Sequence, residues 1–161
     1  MVSAIDEFEG RVDYEWGALK STSWPQQFPA WVDRLKEKVD LWLHDESFVY
    51  LGFGKNDYVL EDATELTIFG LTERFALSVT IRRDPVNPQR ADAQWKLVPR
   101  SSITHLDAAH APCPRGGRWL VVEATFDGVV SGPFPDREDL AYDAESRRAI
   151  FDGLRGDLYP R

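Results

Sequence analysis

Between Ser47 and Phe134 the apolar side chains return every second residue, in short runs cut off by proline, glycine and Asn/Asp pairs. That alternation constrains the fold more than any other feature of the chain. The sharpest run is "RFALSVTIRR", in which Phe75, Leu77, Val79 and Ile81 alternate with Ala76, Ser78 and Thr80. Successive side chains of a strand point to opposite faces, so the run predicts a half-buried strand with one wet or lightly covered face. "SFVYLGF", "ELTIFG", "RWLVVEATF" and "VVSGPF" have the same character. "QWKLVP" and "SITHLDA" read as two strands, or as one strand bent at Pro99, which has no N–H for a ladder. "DPVNPQRADA" and "AHAPCPRGG" read as loops, and Asp127-Gly128 as a hairpin turn. Six to seven antiparallel strands follow from this pattern.

On either side the period changes. In "AWVDRLKEKVDLWLH" Trp31, Leu35, Val39 and Trp42 recur at helical spacing, with Val32 and Leu43 beside them, which predicts an amphipathic helix with both tryptophans in the core. Pro29 is placed to open it. The first twenty residues read as a short helix or ordered arm, because Ile5, Phe8 and Val12 keep helical spacing while Gly10 and Gly17 weaken it. Near the C-terminus Asp143 is placed to cap "AESRRAIFDGL", whose buried face would be Ile150, Phe151, Leu154 and Leu158. The expected fold class is therefore α+β: an antiparallel meander or partly open barrel of six to seven strands, an N-terminal amphipathic helix and a C-terminal capping helix. With 161 residues, no repeat and no convincing linker, the expectation is one domain, 1–161. Its parts are a helical region 1–46, the sheet 47–134 and a terminal helix 135–161.

The order of elements resembles that of bacterial pleckstrin-homology-like domains. "LTERFALSV" at 71–79, "LVPRSSITHLDA" at 97–108, a strand like "RWLVVEATF" and a terminal helix like "AESRRAIFDGL" carry the resemblance, which covers about residues 47–156. It implies a small curved sheet with a covering helix, no catalytic residues and varied ligands. The basic loop of lipid-binding members has no counterpart, since the matching region sets Lys55 among Asp57, Glu61 and Asp62. In the residues themselves, Thr72 and Arg74 can satisfy backbone groups at a strand start, and Ile103 and Leu106 should point into the core.

Charge narrows the partners. Residues 1–70 hold 14 Asp/Glu against 6 Lys/Arg, a balance of −8, whereas residues 71–161 hold 13 of each and balance to zero. An acidic half disfavours nucleic acid and anionic membrane, both of which need basic surface, and is compatible with a basic protein. No basic-then-apolar leader and no stretch of about 20 apolar residues occurs, and the single cysteine, Cys113, has no internal disulfide partner. The expected location is cytoplasmic.

No strong catalytic motif is present. His105, His110 and Cys113 in "HLDAAHAPC", with Asp107 between them, are the residue types that bind zinc, but the spacing lacks the paired knuckles of structural zinc sites. A Cys–His nucleophile would need something to lower the thiol pKa, and Pro112 and Pro114 flank Cys113 instead. The acidic groups Asp6/Glu7/Glu9, Asp45/Glu46, Glu61/Asp62 and Glu138/Asp139 read as solvated surface. "GFGKN" has the wrong spacing for a phosphate loop and precedes a strand. Trp24 lies on no apolar stripe and is the candidate aromatic anchor of an interface. The reading is thus a non-enzymatic protein-binding module, neutralising or scaffolding a basic partner, with no cofactor, no metal and no catalytic residues. The alternatives are an assembly subunit of a homo-oligomer, and a small enzyme or metal-binding protein using His105, His110 and Cys113.

Overall fold

The computed structural model describes residues 2–19, 30–53, 65–84, 86–87, 90–137 and 139–160, without the side chains of 15–19 and 83. Among these, the chain is α+β, with three helices and seven antiparallel strands in two sheets that do not close into a barrel. In order they are α1 (Ala4–Leu19), α2 (Ala30–Trp42), β1 (Tyr50–Phe53), β2 (Glu65–Leu71), β3 (Phe75–Arg83), β4 (Ala91–Pro99), a 3-10 turn at Arg100–Ser102, β5 (Ile103–Pro112), β6 (Arg118–Phe126), β7 (Val130–Pro133) and α3 (Ala144–Leu158). Strands β1 to β4 form one sheet in sequence order, and β5 to β7 form the other.

The chain divides into two compact units, one of residues 1–48, 53–68 and 79–95, the other of 49–52, 69–78 and 96–161. In the first, Ala4, Phe8 and Val12 make the buried stripe of α1, one step round from the Ile5 that sequence spacing favoured. Helix α1 packs against α2, where Trp31, Val32, Leu35 and Val39 are buried. The segment after α2 is tied back to α1: the Ala4 N–H donates to the Glu46 carbonyl at 2.9 Å, and the Phe48 N–H to the Glu7 carboxylate at 3.1 Å. Ser47, whose hydroxyl donates to the Val2 carbonyl at 2.7 Å, and Phe48 are spent on such ties although read as strand, and β1 starts only at Tyr50. Burial holds the Glu7 pKa above its ordinary value, with the Phe48 hydrogen bond opposing.

Strand β3 departs from its expected wet face. Residues 76 to 79 are all buried, Ala76 and Ser78 included. Alternation alone does not tell whether a face of small side chains is covered. The turn into β3 is built as expected at Thr72, whose hydroxyl accepts from the Arg74 N–H at 3.2 Å and the Phe75 N–H at 2.9 Å. Proline 99 ends β4, and the 3-10 turn separates it from β5, so these are two strands. β4 begins at Ala91, inside a stretch read as loop, and β5 runs on to Pro112 in another.

In the second unit β5 pairs with β6 from Ile103 to Pro112, with a bulge between Ile103 and His105. Asp127 and Gly128 both take positive φ (52° and 64°), and the Val129 N–H closes the turn on the Phe126 carbonyl at 3.0 Å. Left-handed central residues suit the strand twist, and Asp-Gly tolerates them. The core here joins Leu71, Val122, Phe126, Phe134, Ile150 and Leu154 among others, with Leu106 partly buried against it. Helix α3 lies on β5 and β6.

The α3 cap is as expected: the Asp143 carboxylate accepts from the Ser146 N–H at 2.8 Å. That hydrogen bond holds the Asp143 pKa below the ordinary carboxylate value. A carboxylate depressed on folding contributes stability above its unfolded pKa and loses it as pH falls through the folded value. Asp143→Ala is therefore expected to lower the melting midpoint by about 2–4 °C at pH 7. The difference should vanish at a pH below the ordinary carboxylate range. Thermal unfolding of both proteins across pH 2–7 checks it; a gap that persists in acid would assign the effect to something other than the ionised cap.

Candidate functional site

The residues singled out for metal or nucleophilic chemistry are not brought together. His105 and His110 both lie on β5, opposite Thr125 and Leu120 of β6. An odd separation of five along a strand puts them on opposite faces, about 16 Å apart along it. Both are exposed, and half-buried Cys113 follows the strand end, its N–H bonded to the Gly117 carbonyl. No group of three or more His, Cys, Asp or Glu side chains among the described residues could hold a metal ion. Trp24 lies outside the described residues, as do Pro29, Lys55, Asp57, Glu61, Asp62 and Glu138.

Two other places concentrate polar chemistry. The first is Arg147 of α3, wholly buried. Its Nε donates to the Tyr142 carbonyl at 2.8 Å, Nη1 to Leu120 at 2.8 Å, and Nη2 to Asp136 and Asp139 at 2.7 and 2.8 Å. The guanidinium stacks 3.7 Å from the centre of the Trp119 ring. Burial pushes its pKa down, opposed by the Asp139 carboxylate. The solvated expectation is corrected for Asp139 and for Glu46, which are both buried.

Tyrosines from two places complete this cluster. The Tyr50 hydroxyl accepts from the Asp136 N–H at 3.2 Å, and the Tyr142 hydroxyl accepts from the Leu51 N–H at 2.9 Å. Burial first, and Asp139 second, push the Tyr50 pKa well above its ordinary value. Gly52 leaves the space this needs, since a Cβ there would fall 2.0 Å from the Tyr50 hydroxyl. Every Arg147 hydrogen bond described ends on a backbone carbonyl. The arrangement fixes the 134–143 connection to β6 and α3; it is a structural lock.

The second place is α2, in the first unit. Its side chains divide into three sectors. Trp31, Val32, Leu35 and Val39 are buried; Asp33, Glu37 and Asp40 form an exposed acidic sector; Arg34 and Lys38 lie together on a third. Trp42 breaks the scheme. At about 100° per residue it falls between Trp31 and Leu35, yet it is 60% exposed, and Leu41 beside it is 77% exposed. The core expectation for Trp42 is thus corrected. The helix ends at Trp42 and the chain turns to bury Leu43 instead. The apolar stripe runs one turn past what covers it. Asp40, His44 and Asp45 surround this end, with the His44 ring 3.5 Å from the Asp40 carboxylate.

Comparison of the chain with family models, with curated proteins and with solved structures finds no match.

Proposed function

We propose that the chain is a non-enzymatic protein-binding module that docks through the C-terminal end of α2. The observation that carries this reading is the adjacent exposure of Leu41 and Trp42 on a helix whose other large apolar residues are buried. An exposed tryptophan continuing a buried stripe gains most of its available burial energy only against another molecule, and tryptophan is enriched among interface residues that dominate affinity. Exposed Glu37, Asp40 and Asp45 at this end favour a basic partner, in line with the acid excess of residues 1–70. The order of elements, seven strands and a terminal helix, is the one a pleckstrin-homology-like module would have, and such a module brings no catalytic residues.

The test is retention of a partner from native lysate at physiological salt, followed by affinity measurement with the identified protein. Trp42→Ala should weaken binding by about 30-fold or more while leaving unfolding within about 0.5 kcal/mol of the parent, as expected for an exposed residue at an interface hot spot. Affinity should also fall with added salt. A partner held equally by the variant would sink the proposal. If Trp42→Ala instead abolished self-association in size-exclusion mass measurements, the homo-oligomer alternative would replace it.

A further inference from the structure

Strand β5 is the edge of its sheet, and among the described residues β6 is its one hydrogen-bonded neighbour. Which of its backbone groups face outward follows from β6. The Phe134 N–H donates to the Val122 carbonyl at 2.8 Å, so the even-numbered residues of β6 turn toward β7 and the odd-numbered ones toward β5. The odd-numbered residues of β5 therefore bond to β6, and the backbone groups of Leu106, Ala108, His110 and Pro112 face the open edge. Both ends of that edge are closed. Pro112 has no N–H, and the bulge between Ile103 and His105 interrupts the ladder at the other end. Between them two side chains occupy the row. The Asp107 carboxylate accepts from the Ala108 N–H at 2.9 Å, and Arg118 Nη2 donates to the His110 carbonyl at 2.9 Å. The β5–β6 pair does not explain Asp107, which stands directly opposite Glu123; like charges opposed across an antiparallel pair are destabilising. The edge does explain it. An open edge strand invites a further strand, and charged side chains are one way to block it.

We propose that β5 is an association edge held shut by Asp107 and Arg118. With those two contacts released, residues 106–110 pair antiparallel with the same residues of a second copy of this chain, about a two-fold axis at Ala108. The occupant follows from the shape of the window. The bulge and Pro112 leave an open row of Leu106, Ala108 and His110, which is symmetric about its centre. In an antiparallel pair, opposed residues exchange N–H and C=O bonds. Leu106 then lies opposite His110 of the second copy, and Ala108 opposite its own equivalent. The small side chains of Ala108 and Ala109 leave room on both faces. Asp107 of each copy comes diagonal to its equivalent, so its charge opposes the pairing a second time. An edge contact this short buries less surface than a stable dimer needs, so the association is weak. It uses none of the residues of the α2 surface and is tested by different variants.

The test is sedimentation velocity of the full chain over a range of concentrations. The double variant Asp107→Ala/Arg118→Ala is expected to dimerise with a dissociation constant of about 0.1–1 mM, roughly tenfold or more tighter than the parent. Both side chains are exposed, so circular dichroism should not change. Adding Ala108→Pro removes an outward N–H and no bond to β6, and should return the double variant to the parent's behaviour. If that protein does not fold, His110→Pro, exposed and with its N–H also outward, serves in its place. The proposal is overturned if the double variant associates no more than the parent, if the parent already associates as strongly, or if the folded proline variant still associates like the double variant.

Discussion

Replacing Arg147 by methionine is expected to lower the free energy of unfolding by about 3–5 kcal/mol, the usual consequence of removing one member of a buried charged network. Methionine roughly fills the volume. It cannot donate to the carbonyls of Leu120, Asp136, Asp139 and Tyr142, which Arg147 reaches at 2.7–2.8 Å. A buried acceptor left unpaired costs about 1–3 kcal/mol, and some of the four should recover water as the segment loosens, which brings the sum down to that range. It also leaves the buried Asp139 carboxylate without its neighbouring cation. Against a total stability of about 5–15 kcal/mol, this is a large fraction.

Arg147→Lys separates charge from geometry. Lysine keeps the positive charge but brings three donors on a single nitrogen, so it cannot span four carbonyls, and it should recover less than half of the loss. Equilibrium urea unfolding, read by tryptophan fluorescence and circular dichroism, gives both numbers. A loss under about 1 kcal/mol in Arg147→Met would mean that the 134–143 connection is held by other contacts; full recovery in Arg147→Lys would mean that charge alone matters.

Nothing in local composition sets Arg147 apart from Arg148, yet the two have opposite fates. Arg148 is exposed and pairs with Asp152 four residues on at 3.1 Å, whereas Arg147 is wholly buried. The signal was in the helical spacing. Arg147 lies three and seven residues before Ile150 and Leu154, the other two residues buried on α3. An arginine on that stripe needs partners inside, and those partners are backbone carbonyls, which a sequence does not advertise.

The same limit explains the other departures. Gly153 lowers the helical propensity of α3, yet the helix runs through it; a Cβ there would come within 2.7 Å of the Arg100 guanidinium, which pairs with Asp157 and donates to the Thr72 carbonyl at 3.0 Å. Trp42 kept the period of a buried stripe that its surroundings do not cover. What the sequence did carry was local: the Asp-Gly turn, the Asp143 cap, the Thr72 hydroxyl at a strand start and the period of α2. Each depends on residues within a few positions of one another. Strand β4, by contrast, begins in a stretch whose prolines and Asn-Pro pair read as loop.

Phe134→Ala should cost about 3–5 kcal/mol, as expected for deleting a fully buried phenylalanine. Its ring meets three others edge-on, Phe69 and Phe126 at 5.6 Å between centres and Tyr50 at 5.9 Å. Such pairs add about 0.5–1.5 kcal/mol each beyond the area they bury. The cluster is closely fitted, because a Cβ at Gly132 would fall 2.3 Å from the Phe69 ring. The cavity left by alanine is therefore lined by rings whose positions other contacts already restrict, so little relaxation is expected to offset the loss. A double-mutant cycle decides whether the rings act together. Phe69→Ala and Phe134→Ala should be non-additive by about 0.5–3 kcal/mol, since each removes the other's partner. Denaturant unfolding of the two single variants and the double variant measures it. Losses that add to within about 0.3 kcal/mol would show that Phe134 contributes only its buried area and that its ring geometry carries no energy of its own.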